Sequence, residues 1–296
     1  MILFVFPSYA SMGSELGTLL GIRMGQFSVD RFPNQELHAI VQIGVVNEDG
    51  VILGSITPPD EQLLSTLLLS HTLKKEGARK IIALLPYLAY ARDDKQKEGK
   101  SIATAWVGAL FHASGVDEVV TVDVHSTQAQ HLFPMPLVSL SPAGLFAQEI
   151  ARLSLLDATI VAPDEGARDR CQAVARAAGM KEEITVLKKR RTEEGIIHGS
   201  ICGTVGKQAV IVDDILDTGG TLVSCGEQLR LLGVRDITIL VTHGLFTGEH
   251  WHKLWSLGVQ RISCTDTLPQ LPEHPSENMR RISVFPLLCA YLKTHR

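Results

Sequence analysis

The sequence predicts an α/β protein made of two similar doubly wound domains, each with a mainly parallel sheet flanked by helices. Three observations lead there. Short, near-continuous apolar runs recur along the chain, helical patterns separate them, and the whole alternation occurs twice in 296 residues. Strands that are apolar on both faces belong in a parallel sheet covered on both sides, and a chain of this length exceeds the usual single core.

The predicted strands are LFVF near the start, VILGSI (51–56), KIIALLPYL (80–88), EVVTVDV (118–124), TIVAPD (159–164), AVIVDD (209–214) and ITILVTH (237–243). Between them, Leu63, Leu64, Leu67 and Leu68 share one helical face, and Ile102, Ala105, Val107, Ala109 and Leu110 mark a second helix. Ser141 and Pro142 form a natural junction, giving domains over 1–141 and 142–296. No low-complexity linker intervenes, so the halves are expected to pack closely, with the active site in the cleft between them.

Composition narrows the function. The net charge is −4, and the densest basic cluster, Lys188 to Arg191, suits a small phosphorylated ligand rather than a nucleic acid. The five cysteines are widely spaced without a CxxC pair, which reads as reduced, mostly buried thiols. The start MILFVFPSYA lacks a basic leader region, and no apolar run reaches the roughly 18–20 residues that span a bilayer. The expectation is a soluble, cytoplasmic protein that engages neither nucleic acid nor membrane.

The strongest local signal is AVIVDDILDTGGTL, an apolar strand followed by Asp213, Asp214, Asp217, Thr218, Gly219, Gly220 and Thr221 and then a helix. This places polar groups at the carboxyl end of a strand, where α/β proteins bind ligands. Adjacent glycines let the backbone turn tightly, and the first helical amides point at whatever sits there. An anion is the natural occupant, most simply a 5'-phosphate. Thr218 and Thr221 add hydroxyl donors, and Asp213 and Asp214 can accept from vicinal sugar hydroxyls. Asp, Thr and Gly are also favoured in an ordinary turn and helix cap, but the acidic pair favours the sugar phosphate. The chain has no GxxxxGK[ST], which disfavours ordinary P-loop kinase chemistry.

This segment resembles the phosphoribosyl diphosphate motif shared by type I phosphoribosyltransferases and ribose-phosphate diphosphokinases. DRFPNQE (30–36), PYLAYARDDK (86–95), TVDVHS (121–126), APDEGA (162–167), LKKRR (187–191), THGLFTG (242–248) and CTDTLP (264–269) resemble the diphosphokinases in the family's own order. The resemblance implies domains of the type I phosphoribosyltransferase kind. It also implies transfer of a diphosphoryl group from ATP to ribose 5-phosphate, giving 5-phosphoribosyl 1-diphosphate and AMP, with Mg2+ required and a homo-oligomeric enzyme. A phosphoribosyltransferase and a non-catalytic regulatory homologue remain as alternatives.

By the same resemblance, Phe32, Asn34, Gln35 and Glu36 hold the adenine of ATP, with Arg92, Asp93 and Asp94 contacting the nucleotide. His125 and Asp164 are expected at strand tips, helping to position magnesium. Lys189 and Arg191 are the catalytic cations at the start of a mobile hairpin whose returning arm is EEGIIHGSICGTV, and Arg191 also faces ribose 5-phosphate. Asp213, Asp214 and residues 217–221 hold the sugar phosphate. The family usually has Asp at position 34 and Gln at position 93. The extra carboxylate of Asp93 could either repel a triphosphate or recruit a second metal ion. The loop after Arg92, DDKQKEGKSI, resembles the shorter archaeal form, and the usual allosteric ADP response is expected to be weak or absent.

Overall fold

In the computed structural model, residues 1–192, 195–269 and 277–295 are described, with side chains described outside residues 188–200. The chain separates into two units, Met1–Leu140 with Phe285–Arg296, and Ser141–Val284.

The first unit runs β1 (Ile2–Val5), α1 (Ala10–Leu20), β2 (Arg23–Met24), β3 (Phe27–Arg31), β4 (Leu37–Val41), β5 (Asp49–Leu53), α2 (Glu61–Lys75), β6 (Lys80–Leu84), α3 (Ala103–Ala113), β7 (Glu118–Val122), α4 (Thr127–Leu132) and β8 (Leu137–Leu140). Among the described residues its sheet has six strands in the order β2-β1-β5-β6-β7-β8, every pair parallel. The small antiparallel ribbon β3-β4 forms a separate sheet.

The second unit runs α5 (Ala143–Arg152), β9 (Thr159–Ala162), α6 (Arg168–Ala177), β10 (Thr185–Thr192), β11 (Gly195–Cys202), β12 (Gln208–Leu216), α7 (Gly220–Leu231), β13 (Asp236–Gly244), α8 (Lys253–Ser256), β14 (Val259–Thr265) and β15 (Met279–Ile282). The order is β11-β10-β9-β12-β13-β14-β15, parallel except for the antiparallel β10-β11 hairpin at one edge. That hairpin coincides with LKKRR and its expected returning arm.

Strand residues divide strictly between the two faces of this sheet. Ala209 and Ile211 of β12 join Ile237, Ile239 and Val241 under α7 and α8, packing with Leu222, Cys225, Leu229 and Leu254. Val210 and Val212 turn the other way, onto Phe146 and Ile150 of α5 and Cys171 and Val174 of α6. Both faces are therefore apolar and covered, which is why the strands read as unbroken apolar runs. Cys171, Cys225, Cys264 and Cys289 are buried and Cys202 is exposed, all as free thiols. No helix among the described residues is long and apolar enough to cross a membrane.

Two helix faces differ from the expectation. In α2 the buried residues are Leu63, Ser65, Thr66, Leu69, Ser70 and Leu73, while Leu64 is exposed. Thr66 and Ser70 donate their hydroxyls back to the carbonyls of Gln62 (2.8 Å) and Thr66 (2.7 Å), so polar residues occupy the inner face at no hydrogen-bonding loss. In α3 the buried set is Thr104, Val107, Gly108 and Phe111, and Ala109 faces out.

The last helix, α9 (Phe285–Thr294), belongs to the first unit rather than to the 142–296 half in which the sequence placed it. Its anchor is Glu118 at the start of β7, which is only 7 % exposed. Tyr291 donates its hydroxyl to Glu118 Oε1 at 2.8 Å, and Lys80 Nζ lies 2.5 Å from Oε2. Burial alone would raise this carboxyl, but the hydrogen bonds from Lys80 and Tyr291 outweigh it and hold Glu118 below the usual carboxylate range.

A carboxyl lowered on folding contributes stability that is complete above its unfolded value, about 4.3, and is lost as pH falls through the lower folded value. Tyr291→Phe leaves Glu118 one donor short and is expected to cost about 1–3 kcal/mol at pH 7. Denaturant unfolding measures this, and the difference from wild type should shrink below about pH 4.

Candidate active site

The β12-α7 junction is built by one strand whose alternation continues past its apolar core. After Val212 the next two side chains are carboxylates, and both Asp213 and Asp214 are buried. Arg170 of α6 answers them, its Nη1 3.9 Å from Asp213 Oδ1 and from Asp214 Oδ1. The Asp214 amide also donates to Asp213 Oδ1 at 3.0 Å. Burial, and then the neighbouring Asp214 charge, push the Asp213 carboxyl well above its ordinary range despite Arg170. A ligand offering hydroxyl donors would favour the ionised form of these carboxyls by hydrogen-bonding to it.

The turn that follows is fixed by Gly219. Its φ of +85° lies in the left-handed region, and a Cβ there would sit 2.7 Å from both Cα and Cβ of Trp251. The Gly219 carbonyl accepts from Val223 N at 2.8 Å, so the glycine caps α7 and aims its first amides outward. Gly220 and Thr218 are exposed, and Asp217 and Thr221 are half-buried. These residues form an open, amide-rich rim over the buried acidic pair, a geometry suited to a phosphate ester.

The loop after β13 braces the turn from behind. Leu245 N and Phe246 N both donate to Leu216 O (2.8 and 3.0 Å), and Thr247 N donates to Asp217 O (3.1 Å). The Phe246 ring packs against Trp251 at 5.0 Å and fills the space over Gly244, where a Cβ would meet it at 2.4 Å. His243 Nδ1 lies 2.9 Å from Thr267 Oγ1, and Thr265 and Thr267 both donate to Thr242 O. The THGLFTG segment thus supports the turn through its backbone amides, and the CTDTLP segment bonds through threonine hydroxyls to residues 242 and 243.

In the first unit, Phe32, Asn34, Gln35 and Glu36 form the exposed tip of the β3-β4 ribbon. Gln35 is left-handed (φ +71°), Asn34 Oδ1 accepts from Glu36 N at 3.2 Å, and Phe32 N donates to Glu36 O at 2.9 Å. The tip is closed by its own bonds and presents Phe32 to solvent, 49 % exposed and stacked on His38 at 4.3 Å. An aromatic ring held flat at an exposed tip is a platform for a planar ligand.

The expected nucleotide residues 92–94 separate. Arg92 is exposed, whereas Asp94 is buried and accepts a hydrogen bond from Ser126, the residue that caps α4. Asp94 therefore anchors the 125–126 segment. Asp93 is half-buried and 2.5 Å from Lys100 Nζ. His125 is not at a strand tip: β7 ends at Val122, Asp123 turns out of line with φ +50°, and His125 is an exposed loop residue. Asp164 lies two residues beyond β9 in the second unit, where Oδ1 accepts from Ala167 N at 3.1 Å and caps a short helical turn. The backbones of Lys189 and Arg191 run in β10 beside a register shift at Lys188/Lys189, and their side chains lie outside the described residues.

Sequence reasoning missed Arg170, Trp251, His38 and Lys100. Only His38 carried a local signal, because in the ribbon register it is the diagonal, same-face neighbour of Phe32. Arg170 and Trp251 meet the β12-α7 junction through tertiary packing, and Lys100 meets Asp93 through a turn within its own loop.

A buried acidic pair near the end of a parallel strand, followed by a left-handed glycine and an open helix start, is the arrangement that marks this α/β unit. Residues 1–115 match the family model for the N-terminal domain of ribose phosphate pyrophosphokinase, and residues 158–294 match the phosphoribosyl synthetase-associated domain. The ribose-phosphate pyrophosphokinase of Thermococcus kodakarensis is 34 % identical over 273 residues, covering 90 % of this chain and 92 % of that one. That of Methanothermobacter thermautotrophicus is 32 % identical over 285 residues, covering 95 % and 96 %. The crystal structure of phosphoribosylpyrophosphate synthetase from Mycobacterium smegmatis superposes with a TM-score of 0.88 at 27 % identity, over 99 % of this chain and 98 % of the other. The chain belongs to the ribose-phosphate pyrophosphokinase family.

Gly219→Ala is expected to destabilise the second unit by about 1–3 kcal/mol, since the new Cβ must leave the left-handed region or displace Trp251. Equilibrium unfolding measures the loss. An unchanged stability would show that the turn is not held as described.

Proposed function

We propose that this chain is a ribose-phosphate pyrophosphokinase that moves the β,γ-diphosphoryl group of ATP to the C1 hydroxyl of ribose 5-phosphate. The C1 oxygen attacks the β-phosphorus, the bond from that phosphorus to the oxygen bridging the α- and β-phosphates breaks, and the hydroxyl proton is released. The products are 5-phosphoribosyl 1-diphosphate and AMP. What supports this above all is the β12-α7 junction, whose acidic pair and helix start match the two ends of a pentose phosphate.

The 5'-phosphate sits on the amides of residues 219–221 with the hydroxyls of Thr218 and Thr221, where the helix start favours negative charge. Asp213 and Asp214 accept from the ring hydroxyls, and Arg170 offsets part of their mutual repulsion. Asp217 shapes the rim through its bonded carbonyl. Phe32 and His38 offer a stacking surface to the adenine, with Asn34, Gln35 and Glu36 around it, and Arg92 faces the phosphates with its fork of donors. Lys189 and Arg191 on the β10-β11 hairpin stabilise charge on the transferring group, and Arg191 also meets the sugar phosphate.

Mg2+ belongs to the same proposal, held with ATP by Asp164 and His125. The described residues hold no cluster of three or more His, Cys, Asp or Glu side chains that would cage a metal. That fits an ion taking most of its oxygens from phosphate and water, as magnesium does with nucleotides. When bound with the triphosphate, the ion neutralises charge as it develops. The Asp164 carboxylate is oriented by the Ala167 amide, and the segment preceding α4 that bears His125 is tied down through Ser126 and Asp94. Self-association, expected from the resemblance, completes the proposal.

Purified protein with Mg2+, ATP and ribose 5-phosphate should release AMP without any nucleobase. Lys189→Ala is expected to lower kcat by about 100-fold or more while leaving ribose 5-phosphate affinity, read by calorimetry, within about threefold. No AMP from the wild-type protein would overturn the proposal. Gly219→Ala supplies the complementary outcome, with affinity for ribose 5-phosphate reduced roughly tenfold or more.

A further inference from the structure

Position 93 sits beside Arg92, the basic group offered to the nucleotide phosphates, yet it carries a carboxylate. Its geometry is specific. The Asp93 carbonyl accepts from Thr104 N (3.3 Å) at the start of α3, which fixes the backbone. The loop beyond makes a tight turn closed by Lys100 N to Lys97 O (3.1 Å) and a bridge between Lys97 and Lys100. That turn returns Lys100 seven residues later, placing its Nζ 2.5 Å from Asp93 Oδ1. Asp94 points into the fold toward Ser126, so Asp93 is the carboxylate of this pair left near the surface.

We infer that Lys100 is a positioning residue for nucleotide binding: by pairing with Asp93 it offsets the carboxylate charge beside Arg92 that would otherwise repel a polyphosphate. This rests on the reading that places the nucleotide phosphates at Arg92. The hydrogen bond and charge of Lys100 also hold the Asp93 carboxyl below its usual range, so the partner to be cancelled is fully ionised at neutral pH. With Lys100 engaged on Oδ1, Asp93 does not confront the triphosphate as a bare charge. The shortened loop has a reason in this account, since its turn is what brings Lys100 back.

An exposed ion pair adds little to folding stability, whereas an uncancelled carboxylate beside a polyanion site acts directly on affinity. The test is a double-mutant cycle on the full-length protein. The ATP dissociation constant is measured by calorimetry in magnesium buffer, alongside KM for ATP and the melting temperature. Lys100→Ala should weaken ATP roughly fivefold at low salt, less at high salt, with melting within about 2 °C of wild type. Lys100→Arg should keep wild-type affinity. Adding Asp93→Asn to Lys100→Ala should recover most of the loss, because the charge to be cancelled is gone.

If Lys100→Ala binds ATP normally, or if Asp93→Asn fails to rescue it, the inference is overturned while the placement of the nucleotide stands. Arg92→Ala separates the two failures. Unchanged ATP affinity in that variant would overturn the placement at Arg92, and the role of Lys100 with it.

Discussion

The second unit depends on how β12 ends. Four residues of a strand buried on both faces, Ala209 to Val212, lead directly into two carboxylates, and a left-handed glycine follows the strand. Burying two adjacent negative charges is unfavourable unless something compensates them. Here one cation from α6 stands 3.9 Å from each, and its compensation is partial, since Asp213 is still pushed well above its ordinary range. Two adjacent carboxylates buried near the end of a strand contribute little to stability, and the proposed function gives them hydroxyl groups to bind. Strain of this sort is sustained because the surrounding sheet and helices over-determine it.

The bracing of the turn between β12 and α7 follows from the same constraint. Gly219 must be left-handed and close to Trp251, so Trp251 must be held, and it is held by Phe246, whose ring needs Gly244 beneath it. The backbone amides of residues 245–247 then bond to residues 216 and 217. Next to this loop, the hydroxyls of Thr265 and Thr267 bond to each other and to the Thr242 carbonyl at the end of β13. Segments that look like separate motifs along the chain are one support structure in space.

Much of this was legible in the sequence where the signal is local. The central strands were readable because both faces are buried, and the acidic pair with its glycines because strand, turn and helix start are contiguous. The inner faces of α2 and α3 were misplaced because Thr66, Ser70 and Thr104 are buried polar residues whose hydroxyls bond to nearby carbonyls, which removes the polar-outside cue. The docking of α9 was hidden by distance along the chain, Glu118 and Tyr291 being 173 residues apart. His125 looked like a strand tip because TVDVH is apolar in alternation, but the left-handed Asp123 ends the strand early. Arg170 was invisible because a counter-ion is recognised by what it faces, and Asp213 and Asp214 are far from it in sequence. Lys100 was invisible because the turn that returns it to Asp93 has no sequence signature.

The account stands on ribose 5-phosphate being gripped at the β12-α7 junction, and amide hydrogen exchange resolved by residue reads that contact directly. Added alone to the protein, the sugar phosphate should slow exchange at the backbone amides of residues 218–222 and leave the β3-β4 tip unaffected. Saturating ligand with exchange at those amides unchanged, or slowed only elsewhere, would contradict it.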